Sequence, residues 1–320
     1  MTVPDPRPAG APVAGSVATL GLDGVRGRLQ GQGLRLRTGP FVFHLRSPHP
    51  GVAAGVARLY ADNPLADTAD YADFDVTIDH GRGWRRWIRP QARFLQDGAP
   101  VYEPLPSTHA LPMLEWAMNA SISTRAHHYL VLHAAVIERE GLCAILPAPP
   151  GSGKSTLCAG LIHAGWRLLS DELTLLSLDG ELTVTPLCRP VSLKNASIDI
   201  IKAWAPQAVF SATAQGTAKG DVAHMKAPRE ALARVAEPAR PRWVVFPRWQ
   251  AGAAPELSVR PRGTSMLELA RNAFNYMMLG ETGYQRLADL VSQCDCVDFR
   301  YARLDDAVDT FDAMLRRARG

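Results

Sequence analysis

The sequence lacks the features that would place a chain in a membrane or on a disulfide scaffold. Its longest apolar stretches, 131–137 and 142–146, fall far short of the roughly 20 residues a spanning helix needs, which excludes membrane spanning. Residues 1–15 hold four prolines and one arginine but no apolar segment of the kind a secretory signal carries, so a cytoplasmic protein is expected. Only five cysteines occur (Cys143, Cys158, Cys188, Cys294 and Cys296), too few and too odd a set for a disulfide framework, so reduced thiols are expected. Cys294 and Cys296 form a C-x-C with no second Cys or His pair nearby, which speaks against a metal site. Runs of like charge are also missing. Lys plus Arg number 35 against 31 Asp plus Glu, and the basic group Arg316, Arg317 and Arg319 reads as the last turn of a helix. No nucleic-acid partner is indicated.

What is present is an ordinary globular composition: 320 residues, 47% hydrophobic, enough for one large or two modest domains. Residues 1–14 are rich in Pro, Gly and Ala and read as a disordered arm. Residues 15–110 read as a small N-terminal α/β domain, with strand-like runs at 34–36, 41–45, 74–78 and 84–88 and a helical patch at 52–60. Helical spacing over 111–127 (Leu114, Met118, Ile122) opens the second domain, 111–320, and joins it to the first. No internal repeat of fixed period is visible.

The second domain begins with two apolar runs, 131–137 and 142–146, separated by Glu138, Arg139, Glu140 and Gly141, which is a hairpin signature. Ala148-Pro149-Pro150-Gly151-Ser152-Gly153-Lys154-Ser155-Thr156 follows, and then an apolar segment at helical spacing. Strand, glycine-rich loop and helix form the context of a phosphate loop. Consecutive backbone N–H groups at a helix N-terminus hold a polyphosphate without side-chain bulk. Pro150, Gly151, Ser152, Gly153, Lys154, Ser155 and Thr156 are therefore candidate nucleotide-binding residues, with Lys154 on the β- and γ-phosphates and the Ser155 hydroxyl on Mg²⁺. Ala148 stands where the usual pattern has its first glycine, and alanine disfavours a positive φ.

Phosphoryl transfer also needs a carboxylate. Gly165 reads as a helix stop, and the strand at 166–169 ends at Ser170-Asp171-Glu172, on the side of a sheet where such a loop opens. The alternative is a solvated turn. His133, in the first hairpin strand, is either structural or catalytic, and spacing does not decide between them.

His133 in a strand, the loop at Lys154 and the acids at Asp171 and Glu172 together resemble the core of HPr kinase/phosphorylase. The stretches 189–195, 219–224 and 274–281 resemble the subgroup called HPr-kinase-related kinase A. That resemblance implies a phosphate-loop kinase core similar to the nucleotide-binding fold of HPr kinases and phosphoenolpyruvate carboxykinases. It also implies ATP and Mg²⁺ as cofactors and a serine as acceptor. Asp171 would be the base, His133 a support beside it, and Glu172, in place of the family's second Asp, a metal ligand together with Ser155. The stretch Ser192-Leu193-Lys194-Asn195 has no counterpart of the family's later acidic metal-site residue, which argues against phosphorolysis and against HPr as substrate. The resemblance further implies a homo-oligomer and a peptide or protein acceptor, with a peptide-binding protein similar to PqqD as a possible partner.

Arg189 and Lys194 read either as neutralising phosphoryl charge or as a solvated basic face. Lys219 and His224 flank Gly220 in a region, 211–220, that reads as a mobile loop closing over substrate or as a disordered surface loop. Helices are expected over 265–279, with a Ser265/Glu268 capping box, over 284–291 and over 304–315, with a strand near 297–301. Met266, Ala270, Phe274 and Met277 are read as core. Besides a serine kinase, the sequence admits a small-metabolite hydroxyl kinase, or a nucleotide-gated interaction protein with little or no catalysis.

Overall fold

A computed structural model of the chain describes residues 15–67, 69–81, 83–149 and 151–319, so the arm at 1–14 and Pro150 lie outside the described residues. The chain is mixed α/β with several sheets. Among the described residues, no helix is long and apolar enough to cross a membrane.

In the N-terminal half, alternation of buried and half-buried residues along Leu34–Thr38 and Phe74–His80 marks strands with one face on a core. The sheet runs Leu34–Thr38, Phe41–Arg46, Phe74–His80, Gln91–Gln96 and Ala99–Pro100, with Leu105–Pro106 also on Gln91–Gln96. The expected strand at 84–88 is absent. Phe74–His80 pairs directly with Gln91–Gln96, so the intervening residues are a connection, with a short 3₁₀ turn at Gly83–Arg86 and Trp87 left exposed.

Helix Ala110–Arg125 packs on this sheet, and its Leu111, Leu114, Met118 and Ile122 share one core with Val131, Leu173, Leu175 and Leu187 from farther along the chain. The two halves are thus sealed by a continuous apolar cluster. A buried polar tie accompanies it: Arg189 Nη2 lies 2.7 Å from Glu115 Oε2, and the Tyr60 hydroxyl donates to the same carboxylate.

The second half is built on a six-stranded sheet in the order Arg167–Ser170, Ala134–Arg139, Leu142–Pro147, Arg240–Trp249, Asp295–Tyr301, Glu256–Val259. Leu142–Pro147, Arg240–Trp249 and Asp295–Tyr301 are mutually parallel neighbours. The expected hairpin forms, with Glu140 and Gly141 both at positive φ between Arg139 and Leu142, as a two-residue turn requires. Its first strand is not continuous from 131, however. Tyr129–Leu132 pairs with Thr174–Ser177 in a separate three-stranded sheet, and Ala134–Arg139 belongs to the large one. His133 is the break between them: its N–H leaves the ladder and donates to the Asn272 carbonyl at 2.7 Å.

A fourth sheet holds Val191–Lys194, Gly220–Met225 and Ala214–Thr217. The segment expected as a loop at 211–220 therefore holds one arm of a hairpin, Ala214–Thr217, and its turn. Its turn is closed by the Thr217 hydroxyl, which donates to the Gly220 carbonyl and accepts from the Lys219 N–H.

Toward the C-terminus, the helix expected over 265–279 is two helices, Arg262–Arg271 and Tyr276–Leu279. There is no Ser265 cap, because the helix starts earlier and the buried Ser265 hydroxyl donates back to the Pro261 carbonyl. The break is set by Asn275, whose side chain accepts from the Val131 N–H and donates to the Tyr129 carbonyl. Met266 and Ala270 pack against the core as expected. Phe274 and Met277 are instead exposed, since the break turns them outward. Glu281–Gln293, Asp295–Tyr301 and Leu304–Arg319 follow.

Candidate active site

The strand Leu142–Pro147 delivers the chain to the glycine-rich loop at the carboxyl edge of the parallel strands, and helix Lys154–His163 leaves it. Gly151 and Gly153 have φ of 86° and 89°, a region open to glycine at little cost. The loop is moored from two sides: the Trp249 N–H donates to the Ser152 carbonyl at 2.9 Å, and the Tyr301 hydroxyl donates to the Gly153 carbonyl at 3.1 Å. Ala148 is buried and is not among the residues with positive φ, so the missing first glycine leaves no backbone strain there. Gly165 takes a φ of 96° just past the helix end.

Lys154 is the first residue of that helix. Its side chain is buried, and its ammonium has no hydrogen-bond partner. An unpaired buried ammonium is costly, and here it stands at a helix N-terminus, where backbone N–H groups already favour an anion.

The acids face it because neighbouring strands change sheets together. Arg167–Ser170 pairs with Ala134–Arg139, and Thr174–Ser177 pairs with Tyr129–Leu132, so Asp171 and Glu172 cross between sheets alongside His133. His133 Nε2 donates to Glu172 Oε2 at 3.1 Å, and Lys194 Nζ lies 3.9 Å from Glu172 Oε1. Burial works against ionisation of Glu172, but the His133 hydrogen bond and the charges of Lys154 and Lys194 hold its carboxyl well below the usual range. Asp171 behaves oppositely. Burial first, and then the Glu172 charge, push it up to about 6, against the opposing Lys154 charge and the Ser192 N–H, which donates to Asp171 Oδ2 at 3.1 Å. The Ser155 hydroxyl is close enough to favour the ionised form of Asp171, and Asp171 Oδ1 has no partner. Two adjacent carboxyls with pKa values driven apart suit a base beside a fixed anion.

Lys219 comes in from its hairpin turn. Its ammonium sits 5.3 Å from the Trp116 ring, and burial, with Lys194 and Lys154 nearby, lowers its pKa. His224 is buried and its pKa is lowered, chiefly by desolvation. The fold therefore brings His133, Lys154, Ser155, Asp171, Glu172, Lys194 and Lys219 together, with His224 beside Asp171 along one cleft.

Other candidates are placed differently. Arg189 is buried rather than on a solvated turn: besides Glu115, its guanidinium donates to Asn119 Oδ1 and to the Glu115 carbonyl. The Thr156 hydroxyl is spent on Ser197 at 2.7 Å, which leaves only its backbone for a nucleotide. The Ser152 hydroxyl is buried without a partner. All five cysteines are free and buried, and no cluster of three or more potential metal ligands occurs among the described residues. Sequence reasoning missed Trp116, Asn119 and Ser192, which line the same cleft as Asp171. Ser192 lies in the stretch 189–195 but carries no signal of its own there, Trp116 and Asn119 sit in no motif, and only tertiary packing brings the three to this cleft.

No protein-family model matches the chain. No curated protein matches it either. Among solved structures it is similar to the Hpr(Ser) kinase/phosphatase from Coxiella burnetii, at 11% identity over 59% of this chain and 95% of that one, with a TM-score of 0.28. A likeness that loose decides neither the fold of this chain nor its activity.

Proposed function

We propose that the chain is an ATP-dependent kinase that transfers the γ-phosphoryl group to a hydroxyl, that of a serine in a peptide or protein. The observation that carries this reading is the buried, unpartnered Lys154 ammonium at a helix N-terminus, facing the Asp171/Glu172 pair. The loop backbone and Lys154 hold the phosphates, and Lys194 and Lys219 add positive charge on the acceptor side. Asp171 takes the acceptor hydroxyl proton as the oxygen forms its bond to the γ-phosphorus. The bond from that phosphorus to the β,γ-bridging oxygen breaks, and ADP leaves with the electron pair. Mg²⁺ fits this donor set: Glu172 is kept ionised, Ser155 offers a hydroxyl, and the ion takes few protein ligands because it retains waters and phosphate oxygens. When bound it would neutralise phosphate charge.

The test uses the full chain, calorimetry with MgATP, and radiolabelled ATP with a serine-containing peptide library. Wild type should bind MgATP and label the library, and Lys154→Ala should lose MgATP affinity by on the order of a hundredfold. Unchanged affinity in that variant would overturn the phosphate-loop reading. Tight MgATP binding with no acceptor labelled would favour the nucleotide-gated interaction protein instead.

A further inference from the structure

The paired strands Phe74–His80 and Gln91–Gln96 are joined by a connection whose apolar side chains face solvent. The Gly81 N–H donates to the Gln91 carbonyl at 3.0 Å and closes the ladder at that end. Beyond it, the N–H groups of Trp87 and Ile88 both donate to the Trp84 carbonyl, at 3.0 and 3.1 Å. Residues three and four apart on such a turn share a face. Trp84, Trp87 and Ile88 therefore lie together, and they are 65%, 80% and 60% exposed. Single exposed apolar side chains are ordinary, but three adjacent ones on one turn mark an interaction surface.

The charge around this face says what it fits. Arg85 and Arg86 stand between the tryptophans in sequence, the exposed Arg89 follows Ile88, and no acidic residue occurs from 80 to 96. The partner must be anionic and must also offer an apolar layer. Three side chains of this size supply less than the roughly 800 Å² per partner of a standard protein–protein interface. Single-stranded nucleic acid is held along a basic groove floored by aromatic platforms, and an isoleucine is no platform. A bilayer surface asks for less. Tryptophan settles at the headgroup level, an aliphatic side chain reaches the acyl boundary, and basic residues are drawn to anionic lipid.

We propose that the turn at 83–89 docks the chain on an anionic lipid surface, with Trp84, Trp87 and Ile88 entering the interface and the arginines supplying the attraction to the headgroups. The chain lies on the membrane through this turn and does not cross it. The proposal is independent of the kinase reading.

The probes are vesicles of phosphatidylcholine alone and of phosphatidylcholine with about one third phosphatidylglycerol, co-sedimented with the full-length protein. Wild type should bind the anionic vesicles at least about tenfold more tightly than the neutral ones, and added salt should weaken that binding. Acyl-chain-brominated lipid should quench part of the tryptophan fluorescence. Replacing both tryptophans, Trp84→Ser with Trp87→Ser, should weaken vesicle binding by about tenfold or more and remove that quenching. Because both rings are exposed, thermal unfolding should change little. Trp84→Phe with Trp87→Phe should keep most of the binding. Wild type that stays in solution with both kinds of vesicle overturns the proposal. Sedimentation unaffected by the double serine variant overturns the assignment to this turn. Tighter binding to a single-stranded RNA oligonucleotide than to the anionic vesicles, at the same salt, overturns the choice of a lipid surface.

Discussion

His133 Nε2 lies 3.1 Å from Glu172 Oε2, and the two residues occupy matching points at which neighbouring strands leave one sheet for another. The contact is a consequence of topology before it is chemistry. A backbone that changes sheets frees its side chains from the alternation of either one, and two such crossings side by side aim an imidazole and two carboxyls into the same space. The imidazole holds Glu172 ionised, and the resulting negative charge helps to raise Asp171. One contact thus drives the acidities of adjacent carboxyls apart.

The loop glycines are predicted to differ in what they tolerate. A Cβ on Gly153 would stand 2.6 Å from the Tyr301 hydroxyl and 3.0 Å from Trp249 Cβ, in a φ of +89°, whereas one on Gly151 would meet nothing within 4 Å. Gly153→Ala should destabilise the fold by about 1–3 kcal/mol and abolish MgATP-dependent thermal stabilisation. Gly151→Ala should cost about 1 kcal/mol. Thermal melts with and without MgATP compare the two, and equal behaviour would remove the steric argument.

Ala148→Gly should change MgATP affinity by less than about tenfold, or 1.4 kcal/mol, because Ala148 already has an ordinary φ and the N–H groups proposed to hold phosphate lie downstream of it. Calorimetry decides this. A much larger gain would mean that the natural loop is impaired.

Much of the candidate site's arrangement was legible because its signals are local. Strand, glycine loop and helix succeed one another in sequence, and the acids end the next strand. The rest depends on pairing between distant segments. Residues 131–137 are uniformly apolar around His133, and only Asn272 and the partner strand at Thr174–Ser177 show that the run is split. The spacing of Met266, Ala270, Phe274 and Met277 is helical in sequence, but Asn275 is claimed by Tyr129 and Val131 and stops the helix. For Arg189 the sequence left a phosphoryl-neutralising role and a solvated basic face both open, because the carboxylate that takes it, Glu115, lies in the other half of the chain.

That pair gives a stability prediction. Glu115 and Arg189 are both buried, with Tyr60 and Asn119 completing the network. Glu115→Ala leaves a guanidinium uncompensated and should cost about 3–5 kcal/mol, whereas the double replacement Glu115→Leu with Arg189→Met should recover most of that loss. Urea unfolding of the three proteins measures it. A double variant no more stable than Glu115→Ala would show that the two side chains do not act as a pair.

Asp171→Asn separates chemistry from stability, and the two effects have opposite signs. In its proposed role as the base, Asp171 must be ionised, so wild-type turnover should fall as pH drops through about 6. Asn keeps the shape and an acceptor for the Ser192 N–H but takes no proton, so turnover should fall by on the order of a hundredfold or more, with MgATP affinity little changed. The fold should respond the other way. The carboxyl pKa in the folded protein is raised from its ordinary 3.8 to about 6, so the folded state holds the proton more tightly than the unfolded chain does. The stability from this group is then fully present below the unfolded value and is lost as pH rises through about 6. Asp171→Asn never forms the buried charge, so it should be more stable than wild type by on the order of 2 kcal/mol at about pH 8. The difference should close toward about pH 4, where both side chains are neutral. Denaturant unfolding of the two proteins at both pH values tests this without any acceptor. If wild type proves the more stable protein at the higher pH, the Asp171 carboxylate is well satisfied in the fold, and its role as a base held in reserve for an acceptor hydroxyl fails with it.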